Sequence, residues 1–214
     1  MAQLLGPAQG CPVEGGNILE QLWQLDNLDS IGGNSTEVLG APQVVEGPAG
    51  MAIEFGGAGD GLIVDVNPLA GAERFTLEVI FQPYAGGLSE QRFIHLQEYN
   101  GDNRALLETR LTRDGKWFLD TYIKSAVADQ TLFAEGFKHP LGPWYRAALV
   151  FDGEEMRHYV NGQLELAGKM PFMPLQNGRV SIGVRLNRVF WYRGKVSSLR
   201  FVDRALEVEE FLPV

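Results

Sequence analysis

Cysteine is what the chain has least of. Cys11 is the only one in 214 residues, so no intrachain disulfide can form and no second thiol exists to share a metal. Positive charge is also scarce: 18 Lys and Arg against 27 Asp and Glu give a formal net charge of −9. A nucleic-acid partner is not expected, because a broad footprint on a polyanion needs a basic face, although a local basic pocket remains compatible with the balance. No apolar run is long enough to span a bilayer, so no membrane partner is expected either. No charged segment leading into an apolar core marks an export signal, and a leader cleaved earlier would leave no trace here. The glycine-rich stretch Gly56 to Gly61 lacks a following Gly-Lys-Ser/Thr and runs into a strand-like segment, which excludes a phosphate cradle. Neither a zinc-protease helix motif nor a serine nucleophile elbow is present.

What is present is turn chemistry between short apolar runs. Hydrophobic content is 45% and charged content 21%, as in a globular chain, and the length suits one well-buried domain. Residues 1–16, rich in Gly and Pro, read as an irregular arm in which Cys11 is a bystander, and residues 17–214 as a single domain without repeats or a linker. The centre is Trp144 to Gly162. Here an apolar run, Asp152-Gly153, a returning strand and Asn161-Gly162 predict a hairpin with type I′ turns. Strands are also expected over 21–25, 50–55, 62–66, 75–81, 180–184 and 194–201, with a short helical turn between Asp203 and Phe211.

That hairpin, with Trp-Tyr-Arg-Ala-Ala-Leu-Val-Phe-Asp-Gly and Tyr-Val-Asn-Gly, resembles the central hairpin of laminin-G-like domains in the concanavalin A-like lectin/glucanase superfamily. Gly-Met-Ala-Ile-Glu-Phe before a glycine turn and Leu-Ile-Val is similar to the entry of such domains, and Gly194 to Phe201 to their closing strand. The resemblance spans about Leu22 to Phe211 and implies an all-β fold, an antiparallel jelly-roll β-sandwich. It says far less about ligand or chemistry.

The informative region is a meander: Arg92 to Glu98, Ala105 to Leu111 and Trp117 to Lys124, punctuated by Asn100-Gly101 and Asp114-Gly115. Side chains alternate across a strand. One parity collects Ile94, Leu96, Ala105, Leu107, Thr109, Leu111, Trp117, Leu119, Thr121 and Ile123, and should face the core. The other collects Phe93, His95 and Gln97, then Leu106, Glu108 and Arg110, then Phe118, Asp120, Tyr122 and Lys124. Two readings fit this second face. It is either a solvated outer face carrying weak ion pairs, or a ligand groove. Phe93, Phe118 and Tyr122 would offer stacking surfaces there, and His95, Gln97, Glu108, Arg110, Asp120 and Lys124 hydrogen bonds. Sugars need that combination, with apolar ring faces and hydroxylated edges.

The resemblance favours the groove, because proteins of this superfamily commonly bind glycans on a concave sheet. It implies an oligo- or polysaccharide partner and lectin-like binding, with a polysaccharide lyase, a glycoside hydrolase or a protein-interaction module as alternatives. The glucanase string Glu-x-Asp-x-x-Glu is missing. Of the alginate-lyase segments, Ile94-His95, Glu108-Thr109-Arg110 and Tyr122-Ile123-Lys124 are partial matches in a different order, which would leave His95 and Tyr122 as the acid–base pair of an enzyme. No cofactor is expected. The one metal alternative is calcium held by Asp26, Asn27 and Asp29, against a plainer reading as turn residues bonding their own backbone. Oligomeric state is left open.

Overall fold

Short alternating runs broken by turns leave strands as the repeating unit, and the computed structural model, which describes residues 19–214, consists almost entirely of them. The arm expected over 1–16, with Cys11, lies outside the described residues. The first strands are β1 (Glu20–Gln24), β2 (Ser30–Ile31), β3 (Asn34–Leu39), β4 (Gln43–Gly47), β5 (Gly50–Gly56), β6 (Gly61–Val64), β7 (Phe75–Pro83) and β8 (Glu90–Glu98). They are followed by β9 (Arg104–Leu111), β10 (Lys116–Lys124), β11 (Asp129–Phe133), β12 (His139–Pro140), β13 (Tyr145–Phe151), β14 (Glu155–Val160), β15 (Gln163–Lys169), β16 (Gly178–Ile182) and β17 (Arg193–Val202). The helical turn near the end is a 3-10 turn, Val208–Glu210. Among the described residues no helix is long and apolar enough to cross a membrane.

Two antiparallel sheets form the sandwich. The first runs β15-β14-β13-β7-β17-β5-β4, with β1 also on β17, and the second runs β11-β10-β9-β8-β16-β6-β3-β2, with β12 on β10. Their inner faces interdigitate around Trp23, Phe55, Phe81, Trp117, Phe151 and Phe201, each fully buried. The expected core parity of β9 and β10 holds: Leu107, Trp117, Leu119 and Ile123 all lie inside. On the outer side of the first sheet, Ala148, Val150, Tyr159 and Val202 are covered by Leu206 and Phe211 from the C-terminal segment. Arg146 belongs to this outer side, its guanidinium lying 5.2 Å from the centre of the Phe211 ring.

The interior also holds a polar chain. Thr121 Oγ1 lies 2.9 Å from His158 Nδ1, His158 Nε2 lies 3.8 Å from Glu165 Oε2, and Glu165 Oε1 lies 2.6 Å from His139 Nε2. Burial pushes the His158 imidazole down to about 4, so it is neutral in the folded protein near pH 7.

Two local expectations need correction. Only Asn161-Gly162, with φ of 51° and 81°, has positive φ at both central residues, as type I′ requires. At Asp152-Gly153 only the glycine is left-handed; Asp152 Oδ1 instead accepts hydrogen bonds from the Glu154 and Glu155 amides, which makes a longer, side-chain-closed turn. The second correction is Phe93. A bulge between Arg92 and Ile94 inserts one residue opposite β9, so Phe93 turns inward, stacking on Phe81 at 4.4 Å, while Arg92 takes the outer position. Phe93 is core and offers no ligand a surface.

Candidate functional site

Register sets the outer face of the second sheet out in rows. Glu90, Arg110 and Phe118 form one row on β8, β9 and β10; Arg92, Glu108, Asp120 and Phe133 form the next, across to β11. Then come His95, Leu106, Tyr122 and Thr131, and after them Gln97, Arg104, Lys124 and Asp129. Apart from Phe93, the residues singled out from the sequence therefore do share one face. They do not form one open site.

The first two rows hold a compact ionic network. Glu90 bridges Arg110 at 2.6 Å and Arg92 at 3.1 Å, and Glu108 contacts both guanidinium groups, Arg92 at 2.6 Å and Arg110 at 2.5 Å. Arg110 Nε also donates to Asp120 Oδ2 at 2.8 Å. Burial, and then the neighbouring Asp120 carboxylate, push the Glu108 carboxyl up against the opposing pull of Arg92 and Arg110. Glu108 lies fully buried beneath the arginines. Beyond this network Lys124 bonds Asp102 at 2.8 Å, and Gln97 donates to the Gly101 carbonyl at 2.9 Å.

A strap, residues 183–192, joins β16 to β17 over the same face. Gly183 opens it at φ 78°, where an added Cβ would sit 2.4 Å from the Phe55 ring. Arg188 and Phe190 are also left-handed, at φ 61° and 59°, a strained conformation for side chains of their size. The strap is held by Arg92 N–H donating to the Phe190 carbonyl at 2.9 Å, with the Arg92 guanidinium 3.8 Å above the Phe190 ring. It buries His95 completely, and His95 Nδ1 accepts the Leu186 amide at 3.1 Å. Burial, then the charges of Arg185, Arg104 and Arg92, push His95 down to about 3. Its ring is neutral, and with Nδ1 accepting, the proton sits on Nε2, which has no partner. His95 and Tyr122 stand on either side of Leu106 in one row, two strand spacings or ~10 Å apart, so no hydrogen bond links them.

Four depressions mark this face, one of them, about 480 Å³, over Ser35, Glu37, Ile63, Asp65 and Arg179. The largest, about 770 Å³, lies over Arg110, Phe118, Phe133 and Lys138, where Phe118 and Phe133 meet edge-on at 5.0 Å. The second, about 250 Å³, shares Arg110 and adds Arg92, Arg104, Tyr122, Thr131 and Arg185. A third of about 250 Å³ lies across the strap, over Gln97, Tyr99, Arg179 and Leu186. Arg104 stacks on Tyr122 at 4.8 Å.

Sequence reading missed Arg92, Arg104, Phe133 and Arg185. The bulge hid Arg92, Arg104 fell just outside the strand assigned to β9, and Phe133 and Arg185 sit on an edge strand and a strap that carry no alternation. In the Asp26–Asp29 loop, Asn27 Oδ1 accepts the Asp29 and Ser30 amides at 3.1 and 2.8 Å, and its Nδ2 donates to Asp26 at 2.8 Å. Among the described residues no group of three or more His, Cys, Asp and Glu side chains is arranged to hold a metal.

Residues 55–211 match the family profile described as the concanavalin A-like lectin/glucanases superfamily. A comparison with curated sequences found no match. Among solved structures, domain 4 of an extracellular arabinanase from Geobacillus stearothermophilus, in complex with arabinotriose, superposes with TM-score 0.66 at 17% identity, covering 89% of this chain and 94% of that one. A heptameric pentraxin from Limulus polyphemus gives 0.60 at 20% identity, covering 74% and 78%. A Trypanosoma rangeli sialidase in complex with sialic acid gives 0.64 at 16% identity; it covers 98% of this chain, which spans only 34% of that protein. At these identities the likeness is one of fold.

Proposed function

Because the chain belongs to the concanavalin A-like lectin/glucanases superfamily, we propose that it recognises an oligo- or polysaccharide, without catalysis, along the outer face of the second sheet. The observation that carries this reading is the aromatic pair Phe118–Phe133. Phe133 is 52% exposed in a depression rimmed by Arg110 and Lys138, which sets an apolar platform among hydrogen-bond donors. The second depression shares Arg110 with the first and adjoins that platform. Saccharides bound to the arabinanase domain and to the sialidase support the same ligand class.

Binding ranks ahead of chemistry on geometric grounds. Glu108, whose raised pKa would suit a general acid, is covered by Arg92 and Arg110, and His95 is sealed under the strap. The test is a glycan array followed by calorimetry on Phe133→Ala and Tyr122→Ala, with product detection alongside. Losing a stacking surface should weaken binding by about 1–3 kcal/mol at unchanged melting temperature. Turnover of any bound glycan, abolished by Glu108→Gln, would replace this reading with a hydrolase; binding untouched by both aromatic variants would remove the groove.

A further inference from the structure

Within a chain of net charge −9, the middle depression gathers four arginines, Arg92, Arg104, Arg110 and Arg185, against two carboxyls, Glu108 and Asp120. Three of the arginines already have anionic partners: Arg92 and Arg110 in the ionic network, Arg104 on Asp102. Arg185 does not. Among the described residues its guanidinium makes no ion pair, while burial and the charges of Arg104 and Arg92 pull its pKa down. Holding a half-buried cation beside two like charges costs stability unless something anionic shares the space. The strap that carries Arg185 contains left-handed Arg188 and Phe190, so its course over the sheet is held against local preference.

Resting on the glycan reading above, we infer that this depression is an acidic-sugar subsite, in which Arg185, backed by Arg104, takes the carboxylate of a uronic-acid residue. A guanidinium fork matches a planar carboxylate in two parallel hydrogen bonds. Glu108 and Asp120, which also line the depression, disfavour a more densely charged group, and the hydroxyls of Tyr122 and Thr131 suit the ring hydroxyls of the same sugar. About 250 Å³ is room for one such ring.

The experiment probes wild type and Arg185→Gln with oligosaccharides of galacturonate, glucuronate and mannuronate, their methyl esters, neutral oligosaccharides and sulfated neutral ones. Wild type should bind one acidic series about 10–100-fold more tightly than its ester. Arg185→Gln should lose that factor for the acid, bind the ester unchanged, and melt no lower than wild type. Equal binding of acid and ester, or no effect of Arg185→Gln, overturns the acidic subsite and leaves glycan recognition standing. Preference for the sulfated series also overturns the carboxylate assignment. Failure to retain any saccharide, acidic or neutral, overturns the subsite and the glycan reading together.

Discussion

At the scale of single residues, Phe93 shows how one inserted position changes a role. Period-two alternation places it beside His95 on the ligand face, and the bulge places it against Phe81 instead. Phe93→Ala should therefore cost about 3–5 kcal/mol in urea unfolding, the price of a large buried cavity. A loss under 0.5 kcal/mol would return the side chain to the surface. Nothing in Arg92-Phe93-Ile94-His95 announces the bulge, since an aromatic next to a β-branched residue suits either face of a strand. Glu108 and Arg110, by contrast, were legible: charged side chains alternating with Leu107 and Thr109 have one sensible orientation in a half-buried strand. What no pattern disclosed is that Glu108 is buried by its own partners.

At the scale of elements, the hairpins were readable and the pieces laid over them were not. Asn161-Gly162 and the alternation of β9 and β10 are local, so the residues concerned carry the signal themselves. The strap follows contacts distant in sequence: Glu37 pairs with Arg188 at 2.8 Å, and the Phe93 carbonyl accepts the Gly183 amide at 3.0 Å. Gly183 is its anchor. Gly183→Ala would push a methyl against the edge of the Phe55 ring at a φ of 78°, and about 1–3 kcal/mol should be lost in thermal or urea unfolding. The strap should also lift, which hydrogen exchange at the Leu186 amide would report, because that amide is bonded to His95. Unchanged stability and protection would mean that the strap is set elsewhere.

For the whole molecule, acid is the condition to which these interiors respond. His158, lowered to about 4, and His95, lowered to about 3, are neutral in the fold but titrate near 6.5 when unfolded. A depressed pKa contributes stability that is complete above 6.5 and is lost as pH falls through the folded value. For His158 that amounts to on the order of 3 kcal/mol, lost between pH 6.5 and 4. Glu78 and Glu108, raised by burial, act in the opposite sense, their contribution fading as pH climbs above the usual carboxylate range. Melting temperature should accordingly drop between pH 6.5 and 4, and His158→Gln should flatten that drop; an equally steep acid limb in the variant would move the cause to other groups. The sandwich has one more consequence, and it concerns synthesis. β17 lies in the middle of the first sheet, with β7 along one edge and β5 and β1 along the other, and Glu20 finds its partner only at Val202. A ribosome that has delivered residues up to 192 has therefore made three strands whose common partner is still untranslated. Closure of that sheet therefore waits until β17 has left the ribosome, and chains stalled short of β17 should remain open to protease while those that include it become resistant.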